Sequence, residues 1–225
     1  MERKGIEKMR AEIEAQMARM REPLFTSKVA HDAERYLNAD LHLSSENWDT
    51  YATGYKIAGD NLVQYVIDNN LDQDFLVYPI GFLYRHYLEL RLKELIFVSS
   101  ALLDKDDEFR KNHNLLSLWK LARPNIESVW PEDKTKTYLD WLEERIKELS
   151  DLDPKSDAFR YPEKKKGEAT LRGLLHINLK HLKEVFQGIS DVLDSASTGM
   201  GEYLNSKNEM MAEYRAERRR QCDQY

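Results

Sequence analysis

The sequence predicts an all-α protein: a helical bundle with an N-terminal amphipathic helix and a charged C-terminal helical tail. Apolar residues recur at spacings of three and four in several long segments, which is the helical period. No segment alternates apolar and polar residues over the length of a strand. Only nine glycines and six prolines interrupt the 225 residues, so long helices are expected.

The chain divides into three predicted parts, which are an N-terminal helical extension over 1–43, a helical bundle over 44–196 and a charged tail over 197–225. Residues 2–20 carry one narrow apolar stripe at helical spacing. The stripe consists of Ile6, Met9, Ile13, Met17 and Met20. Methionine suits an adaptable contact, so we expect this helix to dock on its own domain, on a partner protein or on a second copy of the chain.

Helices within the bundle are predicted from apolar spacing and from turn residues. A short helix is expected over 28–38. The longer ones are predicted over 44–70 with Ser44 or Ser45 as N-cap, from Pro79 to about Leu103, from His113 to Pro124, from about Pro131 to Ser150 and from about Ala169 to Ser195. In the first of these longer helices, Gly54 and Gly59 are expected at a close helix contact, and the aromatic residues in the core. The tail is expected to add a further helix.

Charge and cysteine content restrict the class of protein. The net charge of -6 does not favour general electrostatic binding to nucleic acid, and the basic runs near 164–172 and 215–220 are interpreted as solvated surface. Cys222 is the single cysteine, so no intramolecular disulfide and no cysteine metal site are expected. Without a secretory signal or a long apolar run, we expect a cytoplasmic protein that does not enter the membrane.

The segment FLYRHYLELRLKELI, residues 82–96, places charged groups within an otherwise apolar helix. Counted from Arg85, Glu89 lies at about 40°, Lys93 at about 80° and His86 at about 100° around the helix axis. These four side chains therefore share one polar stripe. Arg91 and Glu94 point to the far side and are expected to be surface residues.

Two other segments are predicted to face this stripe. Residues 112–114 begin a helix, where free amide groups favour an anion. The loop SDAFRYP supplies Asp157, Arg160 and Tyr161. Together these groups suit a phosphate, with histidine as acid or base and arginine as the clamp. The alternative is an internal salt-bridge network between Arg85, Glu89 and Lys93 that needs no ligand.

No metal site and no cofactor are predicted. The sequence contains no H-x-x-x-H, no E-x-x-H and no cysteine cluster, and it lacks the P-loop, Rossmann and serine hydrolase motifs. His176 and His181 are interpreted as packing or surface residues.

The segment RHYLELRLKELI, followed by a polar connection and then H-N-L-L-x-L-W, resembles the HEPN superfamily of small α-helical bundles. The matching positions are Glu89 and Lys93, four apart, and then His113, Leu115 and Leu118 at a helix start. The resemblance covers residues 76–122 and extends loosely over 44–196. In particular, the chain is similar to bacterial members with an F-R-Y-P loop, here residues 159–162.

This resemblance implies a HEPN-like helical bundle that binds RNA or a nucleotide, and often a dimer. Many members are metal-independent ribonucleases of toxin-antitoxin or phage-defence systems, with arginine and histidine separated by four to six residues. Here only Arg35 and His42 have that spacing, and they lie too early in the chain.

Our candidate ligand-binding residues are Arg85, His86, Glu89, Lys93, His113 and Arg160, and the catalytic candidates are His113, His86 and Arg85. The alternative function is that of a non-catalytic helical scaffold subunit.

Overall fold

The computed structural model describes residues 2–19, 37, 39, 48–106, 109–164 and 166–222. The chain forms two compact units, Met1–Ser45 and Glu46–Tyr225. The described residues contain six α-helices and no β-sheet, which confirms the all-α prediction. The helices are α1 (Glu2–Arg19), α2 (Trp48–Asn69), α3 (Gln73–Leu102), α4 (Leu115–Val129), α5 (Asp133–Leu152) and α6 (Leu179–Cys222).

Unit 1 contains α1, which agrees with the helix predicted over 2–20. Four members of its apolar stripe are about half exposed, namely Ile6, Met9, Ile13 and Met17. The helix predicted over 28–38 lies outside the described residues except for residue 37, and so do the predicted N-caps Ser44 and Ser45.

Helix α3 is the centre of unit 2. It packs against α2, α4 and α6, and α4 packs in turn against α5. Because neighbours cover α3 on several sides, almost every residue from Ile80 to Ile96 is buried. Leucine, glutamate, lysine and arginine dominate its middle, and all four have high helix propensity. The helix that carries the polar stripe is therefore also the core of the fold.

Two prolines lie within helices, where the sequence suggested boundaries. Helix α3 begins before Pro79, and α4 continues beyond Pro124. A proline within a helix costs about 3 kcal/mol. The buried residues that follow, Ile80 in α3 and Ile126 in α4, offset this cost by packing in the core. The predicted start at Pro79 and end at Pro124 were therefore wrong.

The two glycines of α2 behave differently. A Cβ atom on Gly59 would lie 3.0 Å from the Tyr84 ring, so the predicted close contact exists there. A Cβ atom on Gly54 would meet nothing within 4 Å, so the prediction was wrong for Gly54. The expectation of a core role for the aromatics of α2 was also only partly right, since Tyr51 and Tyr65 are largely exposed.

Helix α6 starts at Leu179 rather than at the predicted Ala169. The preceding segment includes Leu171 and Gly173 with positive φ, which a right-handed helix does not allow. The helix then continues through the predicted tail to Cys222 without a break, over about 66 Å. None of the described helices is long and apolar enough to cross a membrane.

Candidate functional site

The polar stripe of α3 ends in a buried cluster around one carboxylate. Glu89 accepts hydrogen bonds from Arg85 Nη1 at 2.9 Å, from Lys93 Nζ at 3.0 Å and from His113 Nδ1 at 2.8 Å. We call Arg85, Glu89, Lys93, His113 and Asp153 the Glu89 cluster. The predicted meeting of the stripe with the segment at 112–114 is therefore present.

Arg85 holds three segments of unit 2 together. Its Nη2 donates to the carbonyl oxygen of His113 at 3.0 Å, and its Nε donates to the carbonyl oxygen of Asp153 at 3.2 Å. The Asp153 carboxylate also lies 3.3 Å from Nε. Because the Arg85 side chain is 0% exposed, it cannot clamp a ligand in solvent. We therefore reassign Arg85 from a ligand-binding and catalytic candidate to a positioning residue.

Lys93 has the same limitation as a ligand-binding candidate. Its side chain is only 4% exposed, and its ammonium group is bonded to Glu89. The ammonium also lies 5.9 Å from the centre of the Trp48 ring. Lys93 thus neutralises Glu89 rather than reaching an external anion.

Asp153 is the member of the cluster that the sequence reasoning missed. It follows the last residue of α5, and its Oδ1 accepts hydrogen bonds from the amides of Asp157 and Ala158. Of the three loop residues expected to face the stripe, which were Asp157, Arg160 and Tyr161, Asp157 instead contributes this backbone amide. An aspartate that follows a helix and precedes a proline is a turn signal, and that signal could have identified Asp153.

Glu89 remains ionised in spite of its burial. Removal from water alone would raise its pKa, but hydrogen bonds from Lys93, His113 and Arg85 outweigh that effect and lower the pKa below its usual value. A buried carboxylate with a permanent negative charge can therefore orient the imidazole that contacts it.

His113 connects the buried cluster with solvent. Its Nδ1 contacts Glu89, while its side chain is 66% exposed. Since a carboxylate accepts hydrogen bonds, Nδ1 carries a proton, and Nε2 is the ring nitrogen left for a ligand. This geometry gives His113 the orientation that a general base needs.

His86, half-buried, lies beside this cluster on the next face of α3. Its ring stacks on Phe82 with centroids 5.6 Å apart and meets the edge of Tyr55 at 4.4 Å. Burial lowers the pKa of His86, and together with the nearby cations it outweighs the opposite effect of Glu89. At neutral pH this imidazole is therefore uncharged and can accept a proton.

Arg160, a candidate for the arginine that clamps a phosphate, is exposed. Its Nε donates to the carbonyl oxygen of Ser156, and its guanidinium lies 5.7 Å from the ring centre of Phe82 and 5.5 Å from that of Tyr161. Among the residues that the structure describes, no carboxylate forms an ion pair with it. Phe82 also stacks on His86, so the Phe82 ring contacts both the Arg160 guanidinium and the His86 imidazole.

A second charged cluster lies on the opposite side of α3. Arg91 pairs with Glu94, with Asp49 at 2.8 Å and with Asp194 at 2.9 Å. We call these four residues, together with Ser197, which donates to Glu94, the Arg91 cluster. Arg91 and Glu94 are both buried, so their predicted place on the surface was wrong. The reason is that α2 and α6 cover this side of the helix.

Metal-ligating side chains do not cluster in the described part of the chain, where no group of three or more could hold a metal ion. His176 and His181 are both exposed there.

In comparisons with known proteins, no family model matches the sequence, and no curated protein and no solved structure matches it either.

Proposed function

We propose that this chain is a HEPN-like protein that binds RNA, or another ligand with a phosphate group, on the surface that carries His86, His113 and Arg160. The observation that carries this proposal is the contact between the buried Glu89 and the exposed His113. An internal salt bridge that only stabilised the fold would be complete with Arg85 and Lys93. The exposed imidazole adds an oriented acid–base group at the surface.

The same residues suit metal-independent cleavage of RNA. His86 or His113 would take the proton from a ribose 2′-hydroxyl, and O2′ would then form a bond to the adjacent phosphorus. The bond from phosphorus to O5′ would break, and water would donate a proton to O5′. Arg160, which has no carboxylate partner among the described residues, would stabilise the charge on the phosphoryl oxygens.

A toxin-antitoxin or phage-defence setting follows from the HEPN resemblance alone and forms part of this proposal. The proposed homodimer or partner complex has a separate basis, which is the half-exposed apolar stripe of α1. That stripe also supports the second candidate, a non-catalytic scaffold subunit in which the buried charges only hold the bundle together.

The two candidates separate in one cleavage assay. Purified full-length protein is incubated with mixed RNA in EDTA, and His113→Ala is compared with wild type. His181→Ala serves as the matched control, because His181 is an exposed histidine with no contact to the Glu89 cluster. We expect cleavage that leaves 2′,3′-cyclic phosphate ends, reduced at least 100-fold by His113→Ala and unchanged by His181→Ala.

Melting temperatures of the three proteins complete the assay. If RNA is neither cleaved nor bound, and His113→Ala lowers only the melting temperature, the ribonuclease proposal is wrong and the scaffold function is supported.

A further inference from the structure

A groove of about 720 Å³ opens beside Arg160. It lies between the first turns of α3 and the segment that precedes α6, and its lining includes Tyr78, Arg160, Tyr161 and Leu175. The volume is within the range of about 300 to 1,000 Å³ that is typical of small-molecule sites. The groove is therefore large enough for one nucleotide.

The lining combines one cation with exposed aromatic rings. Tyr78 and Tyr161 are 50% and 56% exposed, so both present ring surface for stacking, and the Arg160 guanidinium lies over one face of Tyr161. The Arg160 guanidinium is held by Ser156 and by two rings, as described above. A guanidinium fixed in this way can donate two parallel hydrogen bonds to a phosphate.

Besides Thr170 and His176, two polar groups of the groove suit a sugar and a base. Gln73 and Asp74 line it at the start of α3, and both are exposed. Their oxygen atoms can accept hydrogen bonds from ribose hydroxyls or from the amino groups of a base. A ligand that consisted only of phosphate would leave these groups and the tyrosines without a role.

The loop that presents Arg160 is fixed before any ligand arrives. Phe159 is buried and packs so closely on Gly81 that a Cβ atom there would lie 2.4 Å from the ring. Thr170 Oγ1 donates to the carbonyl oxygen of Tyr161 at 2.8 Å. Because Asp153 anchors the start of this loop and also pairs with Arg85, the groove and the Glu89 cluster share one rigid support.

We propose that this groove binds one nucleotide unit, with the phosphate on Arg160 and the base stacked on Tyr78 or Tyr161. The inference rests on the proposed function, because the groove would hold the nucleotide whose phosphate Arg160 contacts in the proposed cleavage. It adds the location and the chemistry of a subsite: a phosphomonoester or phosphodiester joined to a ribose and a planar ring.

The test is a calorimetric titration of the full-length protein. The probes are the four nucleoside 5′-monophosphates, inorganic phosphate, adenosine and a short single-stranded RNA. We expect the monophosphates to bind at least tenfold more tightly than phosphate or adenosine, because only they fill both halves of the groove. Binding of the RNA without binding of any monophosphate would assign the groove to nucleotides within a strand.

Two substitutions locate the binding. Arg160→Gln is expected to weaken binding of the tightest probe at least tenfold, and Tyr78→Leu at least fivefold. Arg172→Gln is the matched control, since Arg172 is exposed and does not line the groove. Arg172→Gln should change the affinity for that probe less than twofold. Equal affinity of wild type and both groove variants would overturn the inference.

The same variants separate this inference from the proposed function. Cleavage of RNA that depends on His113, together with no effect of Tyr78→Leu or Arg160→Gln on any binding, would overturn the groove and leave the ribonuclease. Binding of a nucleotide that depends on Arg160 and Tyr78, together with no cleavage, would support the groove and overturn the ribonuclease. Tyr78 is half exposed and makes no contribution to the buried core, so Tyr78→Leu should remain folded even if Arg160→Gln does not.

Discussion

Glu89 and Glu94 lie five residues apart on the same buried helix, yet their acidities shift in opposite directions. Burial by itself would raise the pKa of both carboxyl groups. At Glu89 the hydrogen bonds from Lys93, His113 and Arg85 reverse that effect, so its pKa is lowered. At Glu94 the bonds from Ser197 and Arg91 do not reverse it, so its pKa stays raised.

The number of cations explains the difference. The Glu89 cluster contains two permanent cations, Arg85 and Lys93, for two carboxylates. In the Arg91 cluster one arginine serves three carboxylates. Burial by itself therefore does not decide whether a carboxylate in this core is charged, because the balance of its neighbours does.

The two clusters also differ in their contact with solvent. The Glu89 cluster reaches the surface through the exposed imidazole of His113. In the Arg91 cluster the partly exposed groups are the carboxylates of Asp49 and Asp194. The first cluster therefore presents an imidazole to solvent, whereas the second presents carboxylates.

The largest expected difference is in stability. Glu89→Gln leaves the buried Lys93 without a carboxylate and the buried Arg85 with Asp153 alone, and it should lower the free energy of unfolding by about 3 to 5 kcal/mol. Glu94→Gln should cost only about 1 kcal/mol, because Arg91 keeps Asp49 and Asp194. Urea unfolding of the two variants at pH 7 measures both values. Equal losses would mean that the cation count does not distinguish the clusters.

A smaller difference is expected in the coupling between residues. A double-mutant cycle of Arg85→Met with Asp153→Asn should give a coupling energy of about 2 kcal/mol, since both side chains are almost fully buried. The cycle of Arg91→Met with Asp49→Asn should give less than about 1 kcal/mol, because Asp49 is 48% exposed. The couplings come from unfolding curves of the single and double variants. A stronger Arg91–Asp49 coupling would contradict this ranking.

The smallest expected effect is the response to pH. Because the pKa of Glu94 is raised in the folded protein, its carboxyl group takes up a proton there at a higher pH than in the unfolded chain. In the unfolded chain the pKa has its ordinary value of 4.5. Between pH 7 and pH 5, wild type should therefore gain stability relative to Glu94→Gln.

The change of stability with pH that Glu89 contributes has the opposite sign. Its lowered pKa gives a stabilisation that is fully present above 4.5 and is lost only as the pH falls below that value, through the folded pKa. Wild type should therefore lose stability relative to Glu89→Gln in the acid range. Urea midpoints measured from pH 7 downwards test both signs, and a parallel response of the two variants would show that the two carboxylates do not differ.

Local periodicity predicted much of the fold. The spacing of apolar residues located α1, α2 and α5 to within a few residues of their observed bounds. It misplaced the start of α3 and the end of α4, because proline was weighted as a boundary while the burial of Ile80 and Ile126 was not visible in the sequence. The start of α6 was misplaced for a related reason, since the positive φ of Leu171 depends on the surrounding fold.

The sequence by itself determined that Arg85, Glu89 and Lys93 share one side of a helix, because the helical period fixes the angle between residues four apart. Only the tertiary structure decided which groups meet that side. His113 and Asp153 are distant in the chain and reach Arg85 because α4 and the end of α5 pack there. The packing of α2 and α6 likewise buried Arg91 and Glu94. The period of a helix gives the direction of a side chain, whereas its exposure depends on how many neighbouring helices surround it.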